Sequence, residues 1–224
     1  MTHGHRRGKG WVVVTTGTAA PRRRLAVADR RHELIDAALV LFSARPADEV
    51  TLDDVAVQAG VSRALAYRYF GTRAEIYVAA MRTAADRLLA LLDPPHDDSP
   101  LTRVIEAIHR YFTFVEQHAT GFQALLAGHP AAQSGTVGNI VEEVRGALFD
   151  RLVEGMGRRQ VSPDLRLALR TWIAGAEAAA LDWLDHRDLP RRTVEDNVLS
   201  LLYAALTVAA SRDAEVANFL AELR

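Results

Sequence analysis

The chain has 224 residues, 49% of them hydrophobic and 25% charged, and its formal net charge is -1. This composition supplies enough apolar side chains for a buried core and excludes a wholly disordered, collagen-like or low-complexity protein. The sequence has no cysteine, which excludes disulfides, a thiol nucleophile and cysteine-based zinc or iron–sulfur sites. Its strictly apolar runs are far shorter than the roughly 18 to 20 residues that cross a bilayer, so we expect a soluble protein with no membrane partner.

Positive charge is concentrated in the first part of the sequence. Residues 1–90 contain 14 Lys and Arg against 9 Asp and Glu, a net charge of +5, whereas residues 91–224 carry 13 against 19, a net charge of -6. A basic segment is typical of a chain that meets phosphate, although a surplus of this size also occurs by chance. Charge alone therefore leaves a nucleic-acid partner open.

The N-terminal 28 residues show neither a helical nor a strand period. Arg6, Arg7 and Lys9 precede the apolar residues 11–14, and that run is too short for the apolar region of a secretory signal. We therefore predict that residues 1–28 form a disordered basic extension and that the protein is cytoplasmic. The arginines within this extension are either a solvated tail or an arm that reaches DNA.

From residue 29 onwards, the segments between Pro and Gly residues carry helical periodicity. Leu34, Ala38, Leu41 and Phe42 fall on one face of a first helix, which ends before Arg45. No segment shows a convincing strand pattern. The sequence therefore predicts an all-α protein of ten helices, the later ones at about residues 51–59, 62–70, 73–92, 101–119, 121–128, 134–158, 163–187, 193–211 and 213–223.

The second and third predicted helices are joined by a tight turn. Thr51 is suited to cap the second helix and Ser62 the third, while Gly60 between them fits a left-handed backbone conformation. Tyr67 and Phe70 are three residues apart and are expected to share a face in the core. This pattern indicates a helix-turn-helix.

The segment that contains this turn resembles the DNA-binding region of the TetR family of bacterial transcriptional regulators. Residues 51–76 read TLDDVAVQAGVSRALAYRYFGTRAEI. The shared marks are a three-helix N-terminal head, the turn at 59–62, a trio of aromatic residues and a basic residue that starts the fourth helix. The close resemblance covers about residues 29–81, and the rest of the chain matches in length and helical layout.

The resemblance implies two functional parts after the extension. Residues 29–75 would form a helix-turn-helix DNA-binding head, and residues 76–224 a helical ligand-binding and dimerisation body. There are two departures from the family pattern. In the third helix, Ala64, Leu65 and Ala66 stand where the family often has a small residue, Thr and Leu, and at the start of the fourth helix Arg73 stands where a Lys is common. The residues that contact bases are left open by these departures.

The third helix carries the candidate DNA contacts. Arg63, near its start, can pair with guanine in the major groove, and Arg68 suits a phosphate or a flanking contact. Tyr69 matches the family position that binds backbone phosphate. Alternatively, Thr51 and Ser62 are only caps and both arginines are only solvated. The predicted DNA-contacting residues are Thr51, Ser62, Arg63, Ala64, Leu65, Tyr67, Arg68, Tyr69, Thr72 and Arg73.

The body contains two helices with a pattern that favours a homodimer. A stripe stepping by 4, 3 and 4 residues on one helix and a broad apolar face on the next would form a four-helix bundle between two subunits, the usual family arrangement. An intramolecular core is the alternative. The predicted interface residues are Trp172, Ala176, Ala179, Trp183, Val198, Leu201, Leu202, Ala205 and Leu206.

The remaining body helices are long enough to enclose a pocket for a small molecule. Each candidate lining residue is alternatively a core residue, and Glu177, among alanines, requires an Arg partner, a ligand or protonation. The candidates are His109, Phe112, Phe122, Phe149, Met156, Trp172 and Glu177. No histidine spacing indicates a metal site, and we predict no cofactor.

Together these features predict a DNA-binding transcriptional regulator and not an enzyme, because no phosphate-binding loop, dinucleotide motif, zinc-protease motif or nucleophile elbow is present. We expect a repressor that binds a double-stranded inverted-repeat operator as a homodimer and is released by an apolar or amphipathic effector. The alternatives are an activator and an architectural DNA-binding protein without a ligand.

Overall fold

The structure is a computed structural model that describes residues 20–93, 99–126, 135–157 and 160–222. Within these ranges the chain forms ten α-helices and no β-strand, as the all-α prediction requires. The helices are α1 (Ala20–Ala44), α2 (Leu52–Gln58), α3 (Arg63–Tyr69), α4 (Arg73–Leu91), α5 (Pro100–Gln117), α6 (Ala119–Leu126), α7 (Gly135–Gly155), α8 (Pro163–His186), α9 (Arg191–Ala210) and α10 (Ala214–Glu222).

The first helix is longer than the sequence pattern indicated. It begins at Ala20, so the prediction of a disordered extension is wrong for residues 20–28, while residues 1–19 lie outside the described residues. Ala, Arg and Leu dominate this stretch and are strong helix formers, and Pro21 is tolerated in a first helical turn. Residues 20–28 have high helix propensity but no amphipathic periodicity. A search for periodicity therefore does not detect this part of the helix.

Serine and threonine caps determine where five of the helices begin. In each case the side-chain hydroxyl accepts a hydrogen bond from the main-chain N–H three residues later, at 3.1 to 3.3 Å. Loss of such a cap typically costs about 1 kcal/mol. The capping residues are Thr51, Ser62, Thr72, Ser99 and Ser162.

The first three helices and the first half of α4 enclose one apolar core. Its members include Leu34 and Phe42 from α1, Val55 from α2 and Ile76 from α4, all almost completely buried. Ile140 of α7 joins the same cluster. The head core is therefore continuous with the body.

Helices α8 and α9 form the centre of the body and pack against each other antiparallel. Trp172 Nε1 donates a hydrogen bond to the Val198 carbonyl at 2.8 Å, and Trp183 Nε1 donates to the Leu189 carbonyl at 3.1 Å. These bonds satisfy both indole groups inside the subunit.

The predicted dimer stripe is largely an intramolecular core. Trp183, Val198, Leu202 and Leu206 are buried within one chain, and Trp172, Ala176 and Ala179 pack against the same clusters. Their heptad-like spacing reflects the packing of α8 against α5 and α9. The interface prediction is therefore wrong for the four buried residues and stays a prediction for the three that are only partly buried. Leu201 is 53% exposed and Ala205 partly exposed, so these two remain available at the surface.

The exposed apolar surface of these two helices differs from the predicted interface and shares only Leu201 with it. Leu167 and Val208 are 67% and 63% exposed. The other exposed positions on this side of the two helices are mostly small residues, which permit close approach of another helix. We call this surface the outer α8–α9 face, and it consists of Leu167, Thr171, Ala174, Ala178, Leu201, Ala204 and Val208.

In the part of the chain that the structure describes, none of the helices combines the length and the hydropathy that a membrane span requires.

Candidate nucleic-acid interface and effector cavity

The link between α2 and α3 is a tight turn with Gly60 at its centre. Gly60 has a φ of +65°, a left-handed conformation that costs glycine little because it has no Cβ. The Val61 N–H donates to the Ala56 carbonyl at 3.0 Å, which closes the end of α2. The predicted helix-turn-helix is therefore present, and α3 begins at Arg63 behind the Ser62 cap.

One face of α3 is exposed to solvent. Arg63, Ala64, Tyr67 and Arg68 are exposed, whereas Ala66 is fully buried against the head core. These four positions follow the helical spacing of a single outward face. A helix with its outer face free of packing is what insertion into a major groove about 12 Å wide requires.

The expectation that Tyr67 packs in the core is wrong. Its side chain is 49% exposed, whereas Phe70 is 2% exposed. Phe70 is the C-terminal cap of α3, with φ -134° and ψ 107°, so it has left the helix and no longer shares a helical face with Tyr67. Tyr69, partly buried, packs against the head core.

Arg63 is held by an acidic partner on the preceding helix. Its Nε donates to Asp53 Oδ1 at 2.7 Å, and Nη2 donates to Oδ2 of the same carboxylate. This hydrogen bonding to Asp53, with its attraction, raises the pKa of Arg63. The guanidinium is nevertheless highly exposed, so one side of it remains open to a further acceptor.

The remaining predicted DNA contacts have structural partners. The Thr51 and Thr72 hydroxyls cap α2 and α4, as Ser62 caps α3. Arg73 donates to the Asp48 carbonyl at 2.8 Å and thereby supports the loop between α1 and α2. Leu65 is partly buried. Caps and the Arg73 bond orient the head, while the exposed helix starts retain N–H groups suited to phosphate.

The body contains a large, mainly apolar cavity of about 870 Å³ that is partly open to solvent. Side chains from seven helices, α4 to α10, line it. This volume lies within the range of about 300 to 1,000 Å³ that is typical of small-molecule sites. Four of the seven predicted lining residues are in its wall, namely Phe122, Met156, Trp172 and Glu177.

The other three predicted lining residues do not reach the cavity. Phe112 is fully buried and packs edge-on against Trp183, with ring centroids 5.8 Å apart. Phe149 belongs to the core near α8, with the Arg170 guanidinium 5.6 Å from its ring centroid. His109 lies on the surface beside Glu195, at 3.3 Å. Apolar surroundings in the sequence did not distinguish core positions from cavity positions.

Glu177 has the arginine partner that its apolar neighbours required. Arg145 Nε donates to Glu177 Oε1 at 3.0 Å and Nη2 donates to Oε2 at 2.5 Å, while Nη1 donates to Glu142 Oε1 at 2.5 Å. The hydrogen bond to Glu177, offset in part by burial, raises the pKa of Arg145. The guanidinium is thus engaged on all three nitrogens.

Across the described residues, no cluster of three or more His, Asp or Glu side chains is arranged to hold a metal ion.

Both halves of the chain match family models. The model of bacterial regulatory proteins, tetR family, matches residues 34–80, and the model of the tetracyclin repressor-like C-terminal domain matches residues 100–205. A crystal structure of a tetR-family transcriptional regulator from Streptomyces coelicolor is 36% identical and superposes with a TM-score of 0.82, covering 87% of this chain and 88% of that chain. The chain belongs to the TetR family of bacterial transcriptional regulators. It is therefore a DNA-binding transcriptional regulator with a helix-turn-helix head.

Characterised relatives of this TetR-family chain include regulators of opposite sign. The negative transcriptional regulator IcaR of the biofilm operon icaADBC in Staphylococcus epidermidis is 22% identical over 63% of this chain and 81% of its own length. The transcriptional activator FasR of Mycolicibacterium smegmatis is 25% identical over 60% of this chain and 64% of its own length. Family membership leaves the direction of regulation open.

Polar residues in and beside the cavity wall were missed from the sequence, Tyr111 and Arg145 among them. Tyr111 lines the cavity on α5, and Arg145 on α7 binds Glu177, which is 32 residues away in the chain. Tyr111 follows the ordinary amphipathic period of its helix, so it gives no separate signal. Only the tertiary structure brings these three residues together.

Proposed function

We propose that this regulator is a homodimeric repressor that binds an inverted-repeat operator and is released by an apolar or amphipathic effector. Residues 29–75 act as the head and residues 76–224 as the body. The observation that carries the proposal is the position of α4. Its Ile76 and Ala80 belong to the head core, and one turn later Ala84 and Leu88 line the cavity.

Helix α4 gives the effector a direct mechanical route to the head. A ligand that pushes on Ala84 or Leu88 acts on the same rigid helix that holds the head core. The Arg82 guanidinium and the Glu143 carboxylate form an ion pair that ties α4 to α7. A few kcal/mol of differential affinity between two orientations of α4 is sufficient to shift such an equilibrium.

Helix α6 supplies a second route. Phe122 and Leu125 line the cavity, whereas Gly121 lies against α1, where a Cβ would come within 3.0 Å of the Phe42 carbonyl oxygen. An effector that displaces α6 therefore also displaces the helix that supports the head.

On the DNA side, the exposed face of α3 is proposed to enter the major groove. Arg63 would contact a guanine edge after exchanging part of its bonding with Asp53, and Arg68 would contact phosphate. Two heads are needed for a palindromic site, and the outer α8–α9 face supplies a self-complementary apolar surface for the dimer.

An activator is the second candidate, because the relative FasR is named as one. An architectural DNA-binding protein without a ligand is less favoured, because a cavity of about 870 Å³ has no role in such a protein.

Selection of bound oligonucleotides from a random pool tests the proposal without knowledge of the target. We expect enrichment of an inverted repeat whose half-sites are about 34 to 36 Å apart, or a multiple of that spacing. Enrichment of a single half-site would contradict the dimer, and the absence of any enriched sequence would contradict specific recognition.

A further inference from the structure

The Tyr111 hydroxyl is a buried donor without an acceptor. Among the buried side-chain nitrogen and oxygen atoms of the described residues, Tyr111 Oη is the one that lacks a hydrogen-bond partner. The ring of Tyr111 lines the cavity wall and makes edge contacts with Phe112 and Phe122. An unpaired buried hydroxyl is costly, so its retention at a cavity wall points to a ligand atom as its partner.

The surroundings of Tyr111 determine which ligand group fits. Burial, followed by the field of Glu177, raises the pKa of Tyr111 well above its usual range, so the hydroxyl stays protonated. Arg145 is already engaged by Glu177 and Glu142, and it offers no free charge to an anionic group. Glu177 is likewise neutralised by Arg145 and offers little to a cation. This end of the cavity therefore suits an uncharged acceptor.

Four further charged residues line the cavity. Arg103 and Arg151 line it and donate to the main-chain carbonyls of Gly155 and Leu89. Asp93 and Glu154 line the cavity as well, so its wall holds two carboxylates beside these two arginines. Arg103 and Tyr111 are two turns apart on α5, about 12 Å at 1.5 Å per residue, and apolar side chains dominate the wall of the cavity.

We propose that the cavity binds an uncharged amphiphile, an elongated apolar molecule with a hydroxyl, carbonyl or ester oxygen that accepts a hydrogen bond from Tyr111. The ligand displaces the side-chain atoms that cover the hydroxyl and places its apolar body along α5 towards Arg103. This inference rests on the proposed role of the cavity as the effector site, and it specifies the chemical class of the effector.

Four compounds with the same decyl chain and different polar groups test the ligand class. Decanol, methyl decanoate, decanoate and decyltrimethylammonium are titrated into the full-length protein by isothermal calorimetry below their micelle concentrations. We expect decanol and methyl decanoate to bind about tenfold or more tightly than the two ions, because a charged group at Tyr111 would be buried without a free partner.

The substitution Tyr111→Phe tests the anchor. It removes one oxygen and should weaken decanol binding by about 2- to 13-fold, which corresponds to a hydrogen bond of roughly 0.5 to 1.5 kcal/mol. It should also raise the melting temperature of the ligand-free protein, because the unpaired hydroxyl is gone. Tyr77→Phe is the matched control, since Tyr77 packs against Phe42 outside the cavity, and it should leave decanol binding unchanged.

Three results would overturn the inference. The first is decanoate as the tightest ligand, with that preference lost in Arg151→Gln, which would place a charged group at the other end of the cavity. The second is equal decanol affinity, or a lower melting temperature of the free protein, in Tyr111→Phe. The third is no binding by any of the four compounds. Operator binding is measured separately, without these compounds. If the protein binds decanol but no DNA, the proposed regulatory function is contradicted and the inference about the ligand is not.

Discussion

Ser43 Oγ lies 2.8 Å from His118 Nδ1, and this partly buried hydrogen bond joins α1 of the head to the end of α5 in the body. Burial, with a smaller effect of the Arg87 charge, lowers the pKa of His118. The head–body contact therefore contains a histidine whose protonation is opposed by its surroundings in the folded chain.

We predict that acidification weakens this contact. The pKa of His118 is lower in the folded chain than its unfolded value of about 6.5, so the unfolded state binds more protons and stability is lost as the pH falls below about 6.5. The measurement is the free energy of unfolding by urea at about pH 7.5 and about pH 5. His118→Asn should retain a partner for Ser43 and show a smaller loss, and an equal loss in both proteins would contradict the assignment to His118.

Gly121 provides a second test of the head–body contact. In Gly121→Ala the new Cβ would meet the Phe42 carbonyl oxygen at 3.0 Å, so α6 and α1 must separate. Gly146→Ala on α7 is the matched control, because nothing lies within 4 Å of its new Cβ. We expect Gly121→Ala to be about 1 to 3 kcal/mol less stable than Gly146→Ala, measured by urea unfolding. Equal stability would contradict the close approach.

The exposed face of α3 predicts different roles for its two arginines. Arg63→Ala should weaken binding to the cognate operator by about 5- to 150-fold with a much smaller effect on random DNA. Arg68→Ala should weaken both and lower the slope of log K against log salt by about 1. Arg192→Ala, an exposed arginine of α9, serves as the control for loss of charge. Equal losses on both DNAs for Arg63→Ala would reject base contact by that residue.

The Asp53 carboxylate should limit how Arg63 binds DNA. In Asp53→Asn the guanidinium loses its charged partner and the head loses one negative charge. We expect tighter DNA binding and a steeper salt dependence, measured by fluorescence anisotropy. Unchanged affinity would show that Arg63 does not leave Asp53 in the complex.

The outer α8–α9 face is predicted to be the dimer interface. Leu201→Glu should produce a monomer that no longer binds the inverted repeat tightly, because a carboxylate would be buried without a partner. Ile105→Glu is the matched control, since Ile105 is 47% exposed on α5 and lies outside this face. Sedimentation velocity gives the masses, and a dimeric Leu201→Glu protein would move the interface elsewhere.

The sequence was sufficient for the ten helices of the described residues and for the head, because those features depend on local chemistry. Caps at Thr51 and Ser62 and the left-handed Gly60 are visible in the sequence, and each is found in the structure. The prediction that Tyr67 lies in the core was wrong because Phe70 has left the helix, and residue spacing does not show where a helix ends. The interface prediction was wrong for Trp183, Val198, Leu202 and Leu206 because these side chains are buried in the core of the single subunit.

The cavity could be anticipated only as a possibility. An apolar residue of an amphipathic helix gives the same sequence pattern whether it packs in a core or lines a cavity. For this reason both Phe112, which is buried in the core, and Phe122, which lines the cavity, were predicted to be lining residues. The pairing of Arg145 with Glu177 and the isolation of the Tyr111 hydroxyl depend on how α5, α7 and α8 meet.

Fluorescence anisotropy tests the proposed sequence-specific DNA binding most directly. The purified protein is titrated onto the DNA immediately upstream of its own gene and onto a scrambled duplex, at two salt concentrations. For a dimeric repressor whose operator lies in this upstream DNA, we expect tight, saturable binding to the upstream DNA at both concentrations and much weaker, salt-labile binding to the scrambled duplex. Addition of the amphiphile that fills the cavity should then release the DNA. Equally weak and salt-labile binding to both duplexes would contradict sequence-specific recognition of this site.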